Sequence, residues 1–181
     1  MNRIKRFTAV AAATAVAALA PLTAAPAAQA TTTTVTANHP GLTWEVLNYG
    51  PSGTVQVGGG ATGDAYNGDT PAWNSLPVLC LNQDYRPAPA GLTLAFHNGW
   101  ALGAVELSRP VKGTDLTSPE AADTVCRTQF GRYWRQAEFH DGHYGDNYQW
   151  TGGWTFWASG NLPKGVRFWT HINDQNANPW N

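Results

Sequence analysis

Charged residues are scarce in this chain: they make up 13% of its 181 residues, against about a quarter in a typical globular protein. Disordered proteins are rich in charge and poor in aromatic residues, so an aromatic content of 12% excludes that class. The chain also lacks the Glu, Lys, Leu and Ala at helical spacing that a coiled coil or helical bundle requires. A net charge of −1 provides no basic excess to neutralise phosphates, which excludes a nucleic-acid partner.

Three motifs of known chemistry are also absent. The Gly-rich segment 58–68 is not followed by the Lys and Ser or Thr of a phosphate-binding loop. The chain has neither the Gly-x-Ser-x-Gly elbow of hydrolases nor the His-Glu-x-x-His motif of zinc enzymes. Candidate sites therefore have to come from local clusters of polar and aromatic residues.

Residues 1–30 have the pattern of a cleaved secretory signal peptide. Three basic residues lie among the first six, an apolar stretch covers 7–22, and residues 28–30 read Ala-Gln-Ala, the small-x-small pattern of a cleavage site. A membrane anchor is the alternative interpretation of the apolar stretch. No Arg-Arg pair is present, which favours the general secretory route, and we expect a secreted, extracellular protein.

Cleavage at this point changes the charge. It removes three of the eleven basic residues and none of the twelve acidic ones, which leaves 151 residues with a net charge of −4. An acidic protein is a poor partner for anionic membranes and DNA. No other segment approaches the ~20 apolar residues of a membrane span. We therefore expect no membrane span and no nucleic-acid partner.

The chain contains two cysteines, Cys80 and Cys126. In an extracellular protein they are expected to form a disulfide, which for a loop of this length stabilises the fold by about 4 kcal/mol in the chain-entropy model. Two free thiols are the alternative, and a catalytic Cys is a further one.

The remaining pattern predicts a flexible arm over 31–40 and a single globular domain over 41–181. The Thr-rich arm could instead dock on a partner as a strand. Asn98-Gly99 is typical of a hairpin turn, which would join the strand 92–96 to a return strand 101–107. The alternating or buried apolar segments that predict short strands are 42–47, 54–57, 77–81, 92–96 and 101–107, with further strands around 154–156 and 166–169.

One helix is predicted to begin near Thr117, where Thr117 and Glu120 fit a capping box, and to end at Gly131. Apolar residues at helical spacing place Cys126 on its buried face. The predicted fold class is α+β, with one main helix packed on short antiparallel strands, many loops and one disulfide.

The segment 117–138 resembles part of a known family. A helix carrying a Cys, the Phe130-Gly131 break and the run Trp134-Arg135-Gln136-Ala137-Glu138 are similar to the second helix and following turn of C-type-lectin-like domains. Phe168-Trp169 and Asn173-Asp174 lie where that family places its final strands. The resemblance implies a scaffold for binding proteins or glycans, with Arg135 and Glu138 structural and partly buried.

The chain departs from the family at its sugar site. No Cys follows Cys126, the Glu-Pro-Asn and Gln-Pro-Asp triplets are absent, and Ile172, not Trp, precedes Asn173-Asp174. The calcium-dependent sugar site of the family is therefore not carried over to this chain.

The densest polar cluster is Glu138-Phe139-His140-Asp141-Gly142-His143, with Asp146 nearby. A solvated turn is one interpretation of this cluster. A zinc site is another, because His and carboxylate side chains are zinc ligands. A general base is the third, because His titrates near neutral pH.

The segment Asn173-Asp174-Gln175-Asn176-Ala177-Asn178 is rich in side-chain oxygens, which calcium prefers. It contains a single carboxylate, Asp174, so a polar turn is the alternative. We expect no tightly bound cofactor, with calcium as the candidate for this segment.

The aromatic residues are concentrated late in the chain, where six of the nine tryptophans fall after residue 130. Trp and Tyr fill cores, but exposed rings also stack on sugars and anchor protein interfaces. The residues expected to bind a ligand are Tyr144, Tyr148, Trp150, Trp154, His140, Asp141 and His143.

These patterns favour a secreted, non-catalytic recognition or adapter module for an extracellular protein or glycan. One version is a subunit of a secreted toxin or lectin assembly, docked through the 31–40 arm by strand addition. The alternatives are a small secreted hydrolase that uses Glu138, His140, Asp141 and His143, and a secreted inhibitor or toxin.

Overall fold

The computed structural model describes residues 36–181. The expected signal peptide, 1–30, and the first five residues of the expected arm lie outside the described residues. Within the described range no helix has the length and apolar character needed to cross a membrane. The helix α1 spans Pro119–Phe130, and the strands are β1 Thr43–Gly50, β2 Thr54–Gly58, β3 Ser75–Leu76, β4 Leu79–Gln83, β5 Gly99–Leu107, β6 Val111–Lys112, β7 Arg135–Gln136, β8 His143–Tyr144, β9 Trp150–Thr151, β10 Thr155–Ser159 and β11 Phe168–Trp169.

Most strands form one mixed sheet in the order β11-β1-β2-β10-β5-β4-β7, with β8 and β9 attached beside β5. All neighbours are antiparallel except β10 and β5, which run parallel with Phe156 opposite Gly99. The prediction of α+β architecture with one main helix is confirmed, whereas the prediction of purely antiparallel strands is wrong. A parallel pair needs a long crossover, and α1 and β6 to β9 lie between these two strands in the chain.

The predicted hairpin around Asn98-Gly99 is also wrong. Residues 92–96 form no strand, and only Ala95 and Asn98 exchange backbone hydrogen bonds, of 3.2 and 2.9 Å. The return strand does form, as β5, but it pairs with β4 on one side and with β10 on the other. Because distant segments occupy both edges of β5, no edge is left for 92–96.

The helix begins one residue later than predicted. Ser118, not Thr117, is the N-cap, and its Oγ accepts a hydrogen bond of 3.2 Å from the backbone N–H of Ala121. Pro119 occupies the first turn, where its missing N–H has no cost, and Gly131 ends the helix with φ 106°.

The predicted disulfide is confirmed. Cys80 of β4 and Cys126 of α1 are bonded, with their Cα atoms 5.5 Å apart and both residues fully buried. The bond lies in an apolar cluster beside Trp169, between the helix and the sheet. It fixes α1 to β4 and thereby positions the side of the helix that faces the candidate site.

The aromatic residues divide between the interior and the surface. Trp44, Trp100 and Trp169 are fully buried, and Trp44 packs against Phe156 with ring centroids 5.3 Å apart. The exposed large rings are those of Tyr49, Tyr66, Trp73, Tyr85, Phe96, Tyr133, Trp150 and Trp154.

The second half of the expected arm lies against the domain. Ala37 is buried, and its N–H donates to the carbonyl of Thr114 at 3.2 Å. The N–H of His39 donates to the carbonyl of Pro179 at 3.2 Å. Residues 36–40 therefore lie between the segment before α1 and the C-terminal residues.

Candidate functional site

The segment after β7 runs beside the segment after β11. The N–H of Phe139 donates to the carbonyl of His171 at 2.8 Å, and the N–H of His171 donates to the carbonyl of Ala137 at 3.3 Å. This short parallel pairing aligns Glu138 with His171. Two concave regions flank the pairing, an aromatic cleft on one side and a polar cavity on the other.

Glu138 lies between the two regions and is almost fully buried. Its Oε1 accepts hydrogen bonds from His140 Nδ1 at 3.0 Å and from the backbone N–H of Asn173 at 3.1 Å. Its Oε2 accepts the backbone N–H of His140 at 2.5 Å. The carboxylate therefore fixes the position of the His140 ring and ties the two segments together.

Arg135 and Asp141 form a bidentate ion pair. Arg135 Nη1 donates to Asp141 Oδ2 at 2.8 Å, and Nη2 donates to Oδ1 at 2.5 Å. Burial lowers the pKa of the Arg135 guanidinium, but the hydrogen bonds and negative charge of Asp141 outweigh burial and hold that pKa above its usual value. Asp141, expected as a binding residue, thus holds a half-buried cation, and the other donors of Arg135 reach Gln83 and the carbonyl of Gln136.

The polar cavity lies between the first half of α1, β7 and the residues after β11. It has a volume of ≈ 320 Å³ and is lined by Pro119, Asp123, Arg135, Glu138, Asp141, His171 and Asn173. His171 is 7% exposed, and its Nδ1 has no hydrogen-bond partner among residues 36–181. Burial lowers the pKa of His171, although the charges of Glu138 and Asp141 oppose that shift, so the ring is neutral at pH 7.

The aromatic cleft has a volume of ≈ 160 Å³ and opens on the other side of Glu138. Three of its rings are open to solvent: Tyr66 is 57% exposed, Phe96 47% and Trp154 40%. The buried ring of Phe139 packs edge-on against Trp154, with centroids 5.4 Å apart. The polar side chains at the cleft are those of His140, Asp174 and Gln175.

Two glycines allow the backbone just before Trp154 to pack closely against its neighbours. A Cβ on Gly152 would lie 1.9 Å from the carbonyl oxygen of Phe96, and a Cβ on Gly153 would lie 2.4 Å from the Phe139 ring. The N–H of Gly153 donates to that same Phe96 carbonyl at 3.0 Å. Only glycine allows the 152–153 segment to approach so closely, and this approach presents Trp154 at the cleft.

His140 is held at the rim of the cleft. Glu138 fixes one ring nitrogen, and the other, Nε2, is 3.9 Å from Asp174 Oδ2. A carboxylate that orients a His ring is the arrangement by which enzymes hold a general base. The same arrangement also presents a fixed polar group to a ligand that is bound without reaction.

The remaining predicted binding residues do not line the cleft, although the Tyr144 ring packs edge-on against Phe96 with centroids 6.2 Å apart. His143 and Tyr144 form β8, where His143 pairs with Trp100 and Thr151. Tyr148 Oη accepts the backbone N–H of Ala88 at 2.8 Å. Trp150 is exposed on β9 but does not line the cleft. Of the residues predicted to bind, Trp154 and His140 are the two that line the aromatic cleft.

The oxygen-rich segment 173–178 forms a tight turn. Asn178 Nδ2 donates to the carbonyl of Ile172 at 2.9 Å, and its Oδ1 accepts the Ile172 N–H at 3.0 Å. In the part of the chain that the structure describes, no three His, Cys, Asp or Glu side chains are grouped as metal ligands. Calcium at this segment stays a prediction.

Sequence reasoning missed two of the three open rings. Tyr66 comes from the Gly-rich loop 58–68, and Phe96 from the segment predicted as a strand. Both lie in irregular segments that only tertiary contacts bring beside Trp154, such as the 6.2 Å approach of the Tyr66 and Trp154 ring centroids. A large aromatic residue in a polar, Gly-rich loop was the signal available for Tyr66.

No family model, curated protein or solved structure matches this chain. A function has to be inferred from the cleft and the cavity themselves.

Proposed function

We propose that this protein is a secreted, non-catalytic recognition module that binds a glycan in the aromatic cleft. The observation that carries the proposal is the convergence of three solvent-exposed rings, Tyr66, Phe96 and Trp154, on one concave site. Exposed aromatic faces are costly to hydrate and rarely gather by chance. Rigid rings that offer apolar area beside polar groups are suited to stacking on the faces of sugar rings.

The polar groups at the cleft support a glycan over a purely apolar ligand. His140 is fixed by Glu138, and Asp174 and Gln175 offer acceptors and donors beside it. A sugar combines an apolar ring face with hydroxyl groups on its edge, and both parts find complementary groups here. The cleft volume of ≈ 160 Å³ suits one sugar ring.

The test is a glycan array followed by calorimetry with the best binder, with and without calcium. Trp154→Ala removes one open ring and is expected to weaken binding by about tenfold or more, the loss expected for an aromatic anchor. Trp73→Ala is the matched control, because Trp73 is 71% exposed and lies outside the cleft. Equal binding by the two variants, or no glycan bound by the wild type, would overturn the proposal.

A hydrolase is the second candidate, favoured by the 3.0 Å contact of Glu138 with His140. In that reaction His140 Nε2 would take a proton from water, the water oxygen would bond to the substrate carbon while the bond from that carbon to the leaving group breaks, and the proton would pass from His140 to the leaving group. His140→Gln should then abolish turnover, whatever its effect on glycan affinity. Glycan affinity without any turnover, in wild type and variant alike, rejects the hydrolase.

The C-type-lectin-like scaffold and the assembly with other secreted proteins through the 31–40 arm are part of the same proposal. Pull-down of the tagged protein from culture supernatant, with and without residues 31–40, tests the assembly. Loss of a co-purifying subunit on deletion of the arm supports it, and recovery of a single species from both forms rejects it. Co-purification of one target enzyme that loses activity would instead favour the secreted inhibitor.

A further inference from the structure

We propose that the polar cavity beneath α1 is a second binding site, which takes a guanidinium or ammonium group. It is lined by three carboxylates, of Asp123, Glu138 and Asp141, and by one guanidinium, of Arg135. The uncompensated charge is therefore negative. The site has no lining residue in common with the aromatic cleft and does not depend on glycan binding there.

The single cation of the cavity is already engaged. Both terminal nitrogens of Arg135 donate to Asp141, and they also reach Gln83 and a backbone carbonyl. Asp141 is the one carboxylate that this guanidinium neutralises. Asp123 is paired with Arg127 at 3.3 Å, so among the described residues Glu138 is left as the carboxylate of the cavity with no Lys or Arg partner, and an incoming cation would meet its charge.

The carboxylates retain capacity to accept hydrogen bonds. Each carboxylate offers about four lone-pair directions. Asp123 uses one oxygen for the N–H of Gln136 at 2.9 Å and the other for Arg127 at 3.3 Å, and the second oxygen of Glu138 accepts a single N–H. A ligand with several N–H donors would fill these directions, as guanidinium and ammonium groups do.

His171 provides an independent indication of a ligand. It lines the same cavity, is 7% exposed, and its Nδ1 lacks a partner among the described residues. Buried polar side chains are normally hydrogen-bonded, and a buried exception needs an explanation. A neutral imidazole has one nitrogen that can accept a hydrogen bond, which suits a cationic donor.

The volume of the cavity and the spacing of the side chains that line it favour an organic cation over a metal ion. Its volume of ≈ 320 Å³ is large enough for a guanidinium with part of its aliphatic stem. Within residues 36–181 the carboxylates and His171 are not grouped closely enough to act as joint metal ligands. The cation could come from a side chain of a protein partner or from a free amino acid.

The experiment titrates the protein with N-acetyl-arginine amide, N-acetyl-lysine amide and free arginine, followed by the NMR signals of the His171 ring. N-acetyl-citrulline amide is the neutral control of nearly the same shape. Saturable shifts with a blocked cation and none with citrulline support the proposal. Tighter binding of the blocked amide than of free arginine assigns the site to a protein side chain, and the reverse order assigns it to a free amino acid.

Two variants test the location. Asn173→Lys places a tethered cation at the exposed rim of the cavity and should weaken arginine-amide binding by about tenfold or more, whereas Asn176→Lys, an equally exposed position outside the cavity, is the matched control. Asp123→Asn should weaken binding to a similar extent.

Equal affinity for citrulline, competition by calcium at the His171 signals, or unchanged binding by Asn173→Lys would overturn the proposal. Glycan binding to Asn173→Lys stays intact in every case, which separates this test from that of the cleft.

Discussion

The polar cavity is lined by Glu138, whose carboxylate also holds His140 of the aromatic cleft, but the two regions differ in the side chains that line them. The cleft exposes Tyr66, Phe96 and Trp154 and has few charges, whereas the cavity is lined by charged and polar side chains, of which Asp141 and His171 are buried. Binding by ring stacking depends little on salt, but binding by charge weakens as ionic strength rises. The two proposed modes of recognition can therefore be disturbed one at a time.

The largest loss in the free energy of unfolding is expected from removing the disulfide. Cys80→Ser with Cys126→Ser should lower the free energy of unfolding by about 4 kcal/mol, because the bond restricts the unfolded chain. It also ties α1, which carries Asp123, to β4. Denaturant unfolding measures the loss, and in the folded fraction arginine-amide binding should suffer more than glycan binding. Equal loss at both sites would show that the helix does not position the cavity separately.

The next largest loss of stability is expected from breaking the ion pair between Arg135 and Asp141. Arg135→Met leaves the buried carboxylate of Asp141 without its cation and with the backbone N–H of Glu138 as a remaining donor, and removing one member of a buried ion pair costs about 3 kcal/mol. Chemical denaturation of the variant measures this cost. Arg135→Met combined with Asp141→Leu should recover much of the stability, since no unpaired charge remains. A double variant no more stable than the single one would show that the ion pair is not the source of the loss.

Gly152 is a position where substitution should disturb the aromatic cleft. A Cβ at residue 152 would lie 1.9 Å from the Phe96 carbonyl oxygen, so Gly152→Ala must displace the segment that presents Trp154. Overpacking of this kind costs about 1–3 kcal/mol. Calorimetry should show glycan binding lost and arginine-amide binding kept. Gly165→Ala is a control for loop glycine replacement, because no atom lies within 4 Å of its added Cβ, although its φ of +76° adds local strain.

The smallest effect is a pH dependence from His171, which is faced by Glu138, Asp141, Arg135 and Asp123. Burial lowers the pKa of His171 in the folded state, so below the unfolded pKa of about 6.5 the unfolded chain binds more protons than the folded one. Stability is therefore full above that pH and falls as pH drops below it, by at most about 1.4 kcal/mol per pH unit. Urea unfolding between pH 7 and 5 measures the slope, and His171→Gln should flatten it. An unchanged slope in that variant would assign the pH dependence to other groups.

The sequence was most informative where contacts are local or covalent. The cap signals around Ser118 and Pro119 place the helix within one residue, and a chain with two cysteines can form one internal disulfide. It was least informative about β5, whose neighbours β4 and β10 were not specified by local alternation. Local periodicity favoured a hairpin because it contains no information on which distant strand competes for the same edge.

The residues of the candidate site also fall into two groups, those that the sequence could indicate and those that only the structure shows. Trp154 and His140 could be chosen from residue type and clustering alone. Tyr66 and Phe96 belong to irregular loops, and their place at the cleft depends on glycine contacts that no sequence period encodes. Asp141 was chosen for its charge, but its bidentate pairing with Arg135 follows from a turn geometry that becomes visible only in three dimensions.

The central claim is that the cleft around Trp154 recognises a glycan by stacking. The most direct measurement is a titration with the best array ligand, followed by the NMR signal of each Trp indole N–H. We expect the Trp154 signal to shift in a saturable manner while those of Trp73 and Trp150 do not, and we expect the shift to persist at high salt. A ligand that shifts Trp150 or Trp73 and leaves Trp154 unchanged would contradict it.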